Sequence, residues 1–146
     1  MERGKTKSCP HYSQPYKVVG IKDGDTVVLL NLKDSTKTTV RLNSVDSPEK
    51  DQPYGMKAKQ FTSDFCYGKT VDLVSSGKDR YKRTLGDIVY NGESLNRNLV
   101  KNGYAWHHKQ YSKDRVLDSL ENLAKVNKAG LWIEGNCVAP WEWRKR

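Results

Sequence analysis

The chain has 146 residues, of which 36% are hydrophobic and 10% aromatic, and it carries a formal net charge of +9. This length fits a single domain, residues 1–146, with a hydrophobic core from about residue 16 to 133 and a basic tail at each end. No apolar run approaches a membrane span, so we expect no membrane partner, whereas the positive charge favours an anionic partner, most often nucleic acid.

The first part of the chain has strand patterns. Residues 16–22 and 25–33 are two β-rich runs joined by an Asp-Gly turn, which is a strong hairpin signal. A second turn leads into a third run at residues 38–45. The pattern predicts three consecutive antiparallel strands.

A helix is predicted directly after the third strand. Ser47, Pro48 and Glu49 have the pattern of an N-cap, a proline in the first turn and an acid facing the helix dipole. Gly68 is a typical helix stop. The apolar stripe expected to face the core consists of Met56, Ala58, Phe61 and Phe65.

Two more helices are predicted near the end of the chain. Ser94 is expected to cap one that ends at Gly103, and Ser112 one that ends at Gly130. The side chains expected to face inward are Leu95, Leu99 and Val100 in the first of these, and Val116, Leu117, Leu120, Leu123 and Ala124 in the second. The three tryptophans that follow residue 130 are expected to dock the tail on the body of the protein.

Two further strand patterns, at residues 70–76 and 85–90, bring the number of strands to five. Five short strands with a helix after the third, and more helices at the end, predict a mainly β fold of the α+β class. The expected architecture is a five-stranded OB-fold barrel plus three helices. OB barrels often bind nucleic acid, but this analogy of fold is weak evidence for a function.

The three cysteines lack the spacing of a zinc site. Cys66 lies near the apolar side of the first predicted helix and is expected to be a buried thiol. A disulfide between Cys9 and Cys137 stays open as an alternative, and it would imply an oxidising compartment. The compartment stays unknown from the sequence: a secreted or periplasmic location is favoured over others, but the first residues contain no hydrophobic signal segment.

Three polar clusters carry the chemistry of the chain: the DGDT turn of the first hairpin, Arg41 with Asp46 and Glu49, and the basic loop at residues 78–83. Each cluster alone is typical of an ordinary turn or a solvated loop. Together they supply carboxylate oxygens for a hard divalent cation and arginines for phosphate oxygens. They also supply a carboxylate for a water molecule, which completes the set needed to hydrolyse a phosphodiester.

Six separated motifs at these positions resemble one family. They are IKDGDTVVL, VRLNSVDSPE, PYGMKAKQF, DRYKRTLGDI, LNRNLVKNGYA and AGLW. In this order and spacing they are similar to the motifs of the thermonuclease family, typified by staphylococcal nuclease, over about residues 17–132. The resemblance implies a five-stranded OB barrel with three helices and Ca²⁺-dependent hydrolysis of DNA and RNA.

The resemblance also implies a metal site. The carboxylates of Asp25 and Asp46 and the backbone carbonyl of Ser47 would ligate Ca²⁺, and Asp23 would support them from the same turn. Serine stands at position 47 where the type member has threonine, which should be harmless when the carbonyl is the ligand.

The catalytic residues implied by the resemblance are Arg41, Glu49 and Arg83. The two arginines would hold and neutralise the scissile phosphate. Glu49 would orient or activate the attacking water, and both alternatives stay open. The family cleaves the bond between phosphorus and the 5′ oxygen and leaves 3′-phosphate ends.

Four residues are expected to contact the nucleic acid: Tyr81, Lys82, Lys109 and Tyr111. Tyr81 resembles the tyrosine that lies along the nucleotide, and Lys82 stands where the family has a glycine, so the placing of Arg83 is in question. Lys109 aligns with the base-stacking tyrosine of the type member, and Tyr111 follows two residues later. Stacking of bases on aromatic rings favours single strands.

The sequence thus predicts a monomeric, Ca²⁺-dependent nuclease that acts on DNA and RNA with little sequence specificity. The alternative is a non-catalytic OB-fold module that binds nucleic acid without cutting it. The presence of all five side chains central to the chemistry favours the enzyme. His107 and His108 have no partner at ligand spacing and are expected on the surface or facing nucleic acid.

Overall fold

The computed structural model describes residues 15–145, which contain eight strands and four α-helices. The strands are β1 (Tyr16–Asp23), β2 (Thr26–Asn31), β3 (Lys37–Leu42), β4 (Val45–Asp46), β5 (Thr70–Lys78), β6 (Thr84–Tyr90), β7 (Glu93–Ser94) and β8 (Trp106–His107). The helices are α1 (Gly55–Cys66), α2 (Leu95–Lys101), α3 (Arg115–Val126) and α4 (Pro140–Trp143), with a 3₁₀ helix at Gly130–Ile133.

The five long strands form a closed barrel. Strands β3, β2, β1, β5 and β6 are antiparallel neighbours in this order, and the short β7 extends the sheet beyond β6. The ring closes where β3 pairs with β6 in parallel, with Val40 opposite Thr84 and Leu42 opposite Gly86. The predicted α+β fold with a five-stranded OB-type barrel is therefore confirmed, and α4 is a helix that the sequence pattern did not predict.

The core fills the interior of the barrel. Alternate residues of each strand face inward, since successive side chains of a strand point to opposite faces. The fully buried hydrophobic residues of the five barrel strands are Val18, Val27, Leu29, Val40, Leu42 and Ile88. The predicted inward face of α2 is confirmed, because Leu95, Leu99 and Val100 join this cluster.

Three residues of the predicted helix stripes were assigned to the wrong face. Met56 of α1 and Val116 and Leu123 of α3 are exposed, whereas the other members of both stripes are buried or half-buried. Each helix packs through a narrow stripe, and a residue one position away from a buried one is rotated by about 100°. Val116 and Leu123 therefore turn to solvent beside the buried Leu117 and Ala124.

The predicted start of the first helix at Ser47 is wrong, because α1 begins at Gly55. The backbone N–H of Ser47 donates to Oδ2 of Asp25 at 2.8 Å, which ties residue 47 to the barrel instead of to a helix. Residues 47–54 are irregular, and the chain turns back so closely that a Cβ on Gly55 would collide with the carbonyl oxygen of Glu49. This close approach requires glycine at position 55.

The predicted cap of α3 is also wrong, whereas that of α2 is confirmed. The hydroxyl of Ser94 accepts the N–H of Arg97, as expected for an N-cap. The cap of α3 is Asp114, whose carboxylate accepts the N–H groups of Val116 and Leu117. Ser112 does not cap the helix, because its hydroxyl lies 2.8 Å from Nε2 of the buried His107.

The tail after α3 is docked on the body of the protein, as expected from its three tryptophans. The ring of Trp106 lies 4.5 Å from that of Trp132 and 5.6 Å from that of Trp141. Nε1 of Trp143 donates to Oδ1 of Asp51 at 3.2 Å. No helix within residues 15–145 has the length and apolar character needed to cross a membrane.

Two predictions concern the cysteines. Cys66 is fully buried, as expected, and burial raises the pKa of its thiol to about 12. Cys9 lies outside the described residues, so its pairing with Cys137 stays an open prediction.

Candidate active site

One cleft of about 810 Å³ opens beside the barrel, where the first hairpin, the β3–β4 segment, the β5–β6 loop and the C-terminal tail meet. Eight of the eleven predicted site residues line it: Asp23, Asp25, Arg41, Asp46, Glu49, Tyr81, Arg83 and Tyr111. Ser47, Lys82 and Lys109 lie outside this lining. The cleft therefore joins the three polar clusters that are far apart in the sequence.

Two buried aspartates form the floor of the cleft. Asp25 leads into β2 and is 6% exposed, while Asp46 ends β4 and is 1% exposed. Oδ2 of Asp25 accepts the N–H of Ser47, which fixes the two acidic segments against each other. Nη2 of Arg41 lies 3.4 Å from Oδ2 of Asp25 and 3.2 Å from Oδ1 of Asp46. The two carboxylates thus share one guanidinium group.

Burial and like charge oppose ionisation of Asp46 and Asp23. Burial raises the pKa of Asp46, and the neighbouring Asp25 carboxylate raises it further, against hydrogen bonds and charges from Arg144 and Arg41. Burial and the charge of Asp25 likewise raise the pKa of Asp23. A divalent cation would relieve this repulsion, because it would neutralise the carboxylates it binds.

The donor set fits a hard cation that keeps part of its water shell. Asp25 and Asp46 offer carboxylate oxygens, which hard divalent ions prefer. Within residues 15–145 no group of three or more His, Cys, Asp or Glu side chains is placed to enclose a metal ion by itself. Backbone carbonyls and water would therefore have to complete the coordination.

Arg41 is held rigidly by the barrel. Its Nη1 donates to the carbonyl oxygens of Leu42 at 2.6 Å and Val45 at 2.8 Å. These bonds leave Nη2 directed at the two aspartates. The guanidinium therefore presents a fixed positive charge at the floor of the cleft.

Asp79, which the sequence analysis did not single out, organises the loop that carries Arg83. One carboxylate oxygen accepts the N–H groups of Tyr81 and Arg83, each at 2.9 Å, and the other binds Nε of Arg83 at 2.8 Å. Asp79 also lines the cleft. Its position four residues before Arg83, in a turn, was the signal that could have identified it.

Glu49 lies on the irregular segment after β4, at the mouth of the cleft. Its backbone N–H donates to Oε1 of Gln52 at 3.0 Å, which fixes the turn. Its side chain is partly exposed, and its Oε1 lies 3.2 Å from Nη1 of Arg144. Arg144 comes from the tail and was not predicted as a site residue; only the basic character of the tail pointed to it.

The rings of His108 and Tyr111 line another side of the cleft, and Trp141 packs against His108. The ring of His108 lies 4.7 Å from the ring of Tyr111 and 4.7 Å from that of Trp141. Its Nε2 is 3.8 Å from Oδ2 of Asp46, and burial lowers the pKa of this imidazole. Tyr111 and Tyr81 are 75% and 66% exposed, and the guanidinium groups of Arg80 and Arg83 lie 5.1 and 5.5 Å from the centre of the Tyr81 ring.

Two predicted surface residues have other roles. His107 is buried, which corrects the expectation that both histidines are on the surface or facing nucleic acid, and its ring bridges Asp118 and Ser112 at 2.8 Å each. Lys109 forms an ion pair with the buried Glu121 at 2.8 Å. Its ammonium therefore binds α3, although its role toward nucleic acid stays a prediction.

Comparisons with known proteins found a matching family model and several similar proteins. The family model for staphylococcal nuclease homologues matches residues 39–134. An uncharacterized endonuclease of Haemophilus influenzae is 40% identical over 139 residues, which is 95% of this chain and 78% of the relative. An uncharacterized endonuclease of Escherichia coli O157:H7 is 37% identical over 89% of this chain and 84% of the relative. The staphylococcal-like nuclease CAN1 of Arabidopsis thaliana is 39% identical over 75% of this chain and 34% of the relative.

Proposed function

Because this chain belongs to the staphylococcal nuclease homologue family, we propose that it is a Ca²⁺-dependent nuclease that hydrolyses DNA and RNA with little sequence specificity. The proposal assigns 3′-phosphate ends to the products. Its main support is the meeting of two buried aspartates, two arginines and a glutamate in one open cleft.

The cation would be held by Asp25, Asp46 and the backbone carbonyl of Ser47. When bound, Ca²⁺ supplies positive charge that stabilises the negative charge developing on the phosphate oxygens. Asp23 lines the same cleft and adds negative charge near these ligands. Its carboxylate lies close enough to Asp25 for the charge of Asp25 to raise its pKa.

The side chains of the chain would carry out the remaining chemistry. Arg41 and Arg83 bind the non-bridging oxygens of the scissile phosphate and offset its charge. Glu49 orients the attacking water or accepts its proton as the oxygen bonds to phosphorus. The bond from phosphorus to the 5′ oxygen breaks, and the 5′ oxygen takes a proton from solvent to leave a hydroxyl.

The form of the cleft favours single strands as substrates. Tyr81 and Tyr111 are exposed on its walls, and unpaired bases stack on such rings without regard to sequence. A base inside a duplex is stacked on its neighbours and offers no free face to them. We therefore propose single-stranded DNA and RNA as the preferred substrates, with duplex DNA cut more slowly.

The first test compares cleavage of single-stranded DNA, duplex DNA and RNA in millimolar-range Ca²⁺ and in chelator. We expect cleavage only with Ca²⁺, fastest on single strands, with 3′-phosphate ends identified by mass spectrometry of the products. Cleavage that continues in chelator would contradict the role of the cation. Binding without any cleavage in Ca²⁺ would instead favour the alternative, a non-catalytic OB-fold binding module.

The role of Glu49 has its own test. Glu49→Gln should lower kcat by about 10²- to 10⁴-fold, because it removes the carboxylate that would orient or deprotonate water. Glu93→Gln makes the same chemical change at an exposed residue outside the cleft and should keep the parental rate. Unchanged stability of both variants, measured by thermal unfolding, would show that the loss is chemical, and parental activity of Glu49→Gln would refute the assignment.

A further inference from the structure

The C-terminal tail reaches the active site and is docked on both sides of it. The ring of Trp141 contacts that of His108, whose Nε2 lies 3.8 Å from Asp46. Nε1 of Trp143 donates to Asp51, two residues after Glu49. The tail is therefore anchored beside both carboxylates, and the next residue, Arg144, is placed between them.

The guanidinium of Arg144 binds these two carboxylates directly. Its Nη2 lies 2.7 Å from Oδ2 of Asp46, and its Nη1 lies 3.2 Å from Oε1 of Glu49. Nη1 is also 3.4 Å from Oδ1 of Asp46. Arg144 lies beyond the segment matched by the family model, which ends at residue 134.

The pairing leaves Asp46 with both oxygens engaged by arginines. Oδ1 accepts from Arg41 at 3.2 Å, while Oδ2 accepts from Arg144. A divalent cation on the same carboxylate would lie within a few ångströms of both guanidinium groups, and like charges at such distances repel strongly. One guanidinium must leave for the cation to bind Asp46 closely.

Arg144 is the one that is free to leave. Arg41 is also held by the carbonyl oxygens of Leu42 and Val45, which the cation would not affect. Among the described residues, the guanidinium of Arg144 has only carboxylates as partners, and its side chain is 42% exposed. A cation on Asp46 would neutralise the closer of its two partners, which lies at 2.7 Å, and would leave only the longer pair with Glu49.

We propose that Arg144 is a further active-site residue that takes the place of the cation on Asp46, while it also pairs with Glu49, until the cation displaces it. The C-terminal tail thereby sets the concentration of cation that the enzyme needs. When Arg144 is displaced, it also releases Glu49. Binding of the cation therefore frees the carboxylate that would orient or deprotonate the attacking water. This inference rests on the proposed function, because it takes Asp46 as a cation ligand.

The test is a calorimetric titration of Ca²⁺ into metal-free protein without nucleic acid. Arg144→Gln should bind Ca²⁺ about tenfold more tightly than the parent, since the competing charge is gone. Lys145→Gln is the matched control: it removes the same charge one residue later, from a side chain that pairs with Glu142 at 3.7 Å and lies outside the cleft. Its Kd for Ca²⁺ should stay within about twofold of the parental value.

Thermal unfolding gives a second readout that does not depend on activity. Metal-free Arg144→Gln should have a lower Tm than the parent because it loses the ion pair, but Ca²⁺ should raise its Tm by a larger amount. In nuclease assays, the Ca²⁺ concentration for half-maximal rate should fall in parallel with the Kd.

The possible outcomes separate the inference from the proposed function. Equal or weaker Ca²⁺ binding by Arg144→Gln, with tight binding by the parent, would overturn the inference and leave the nuclease proposal in place. Tighter binding by Arg144→Gln in a protein that never cleaves nucleic acid would support the inference and reject the nuclease. No binding of Ca²⁺ by any of the three proteins would overturn both.

Discussion

Lys82 adopts the left-handed backbone conformation, with φ of 65°, in the loop that positions Arg83. This conformation costs a residue with a Cβ about 1–2 kcal/mol. The loop nevertheless needs it, because the N–H of Lys82 closes a turn on the carbonyl oxygen of Asp79 at 3.0 Å. Asp79 in turn binds Arg83, which still lines the cleft. Lysine in place of the family's glycine therefore costs stability and keeps the arginine in the site.

This explanation predicts that Lys82→Gly stabilises the protein. Glycine avoids the strain but loses about 0.5–1 kcal/mol in backbone entropy, so the net gain in the free energy of unfolding should be about 0.5–1 kcal/mol. Lys82→Ala removes the same charge, keeps the Cβ and should leave stability unchanged. Urea denaturation of the three proteins provides the measurement, and an equal effect of both substitutions would assign it to the charge.

The sequence could predict site residues that lie inside recognisable motifs. It could not predict a residue such as Arg144, which reaches the site from a distant part of the chain. Asp25, Arg41 and Asp46 stand at the ends of strands, where a strand pattern gives way to polar residues. Arg144 meets Asp46 across 98 residues of chain, and no periodicity or spacing encodes such a contact. Packing of tryptophans placed it there, and the geometry of that packing is visible only in three dimensions.

At the scale of elements, the segment between β4 and α1 explains the largest error of the sequence analysis. Ser-Pro-Glu is a typical helix start, and local preference alone supports it. The long-range bond from Ser47 N–H to Asp25 overrides that preference, and Gln52 then holds the irregular turn by binding the N–H of Glu49. As a result, Glu49 stays at the mouth of the cleft instead of entering a helix.

The start of α3 provides a test at this scale. Asp114→Ala should lower the free energy of unfolding by about 1 kcal/mol, because the N–H groups of Val116 and Leu117 lose their acceptor. Asp114→Asn keeps an equally good capping oxygen and loses only the negative charge near the helix N-terminus. It should therefore lower the free energy of unfolding by only a few tenths of a kcal/mol, roughly. Chemical denaturation distinguishes the two, and equal losses would mean that charge, not the cap, stabilises the helix end.

At the scale of the whole molecule, the barrel could be predicted because its strands have clear patterns and short turns. The residues that close it could not be predicted, since the parallel pairing of β3 with β6 joins residues 40–42 to residues 84–86 without a local signal. That closure brings Arg83, just before β6, to the side of the barrel where Arg41 stands on β3. One long-range pairing thus both completes the fold and brings the two phosphate-binding candidates into one cleft.

The charge of the whole molecule predicts how binding responds to salt. With a net charge of +9 and several cations around the cleft, we expect about four phosphate contacts on a single strand. The slope of log affinity against log salt should then be about −3, an affinity loss of about 50-fold between 50 and 200 mM salt. The measurement is fluorescence anisotropy of a labelled DNA strand with Glu49→Gln protein, which should bind but cut very slowly.

Two further substitutions in that background locate the contacts. Arg80 lies exposed on the lining of the cleft, with its guanidinium 5.1 Å from the ring of Tyr81, so Arg80→Gln should reduce the slope by about 0.7. Lys33 is exposed in the turn after β2, away from the cleft lining, and Lys33→Gln should leave the slope unchanged. If both substitutions changed the slope equally, the nucleic acid would be held by the overall charge of the surface and not by the cleft. If affinity did not depend on salt at all, phosphate contacts would not be the source of binding, and base stacking on Tyr81 and Tyr111 would have to supply it.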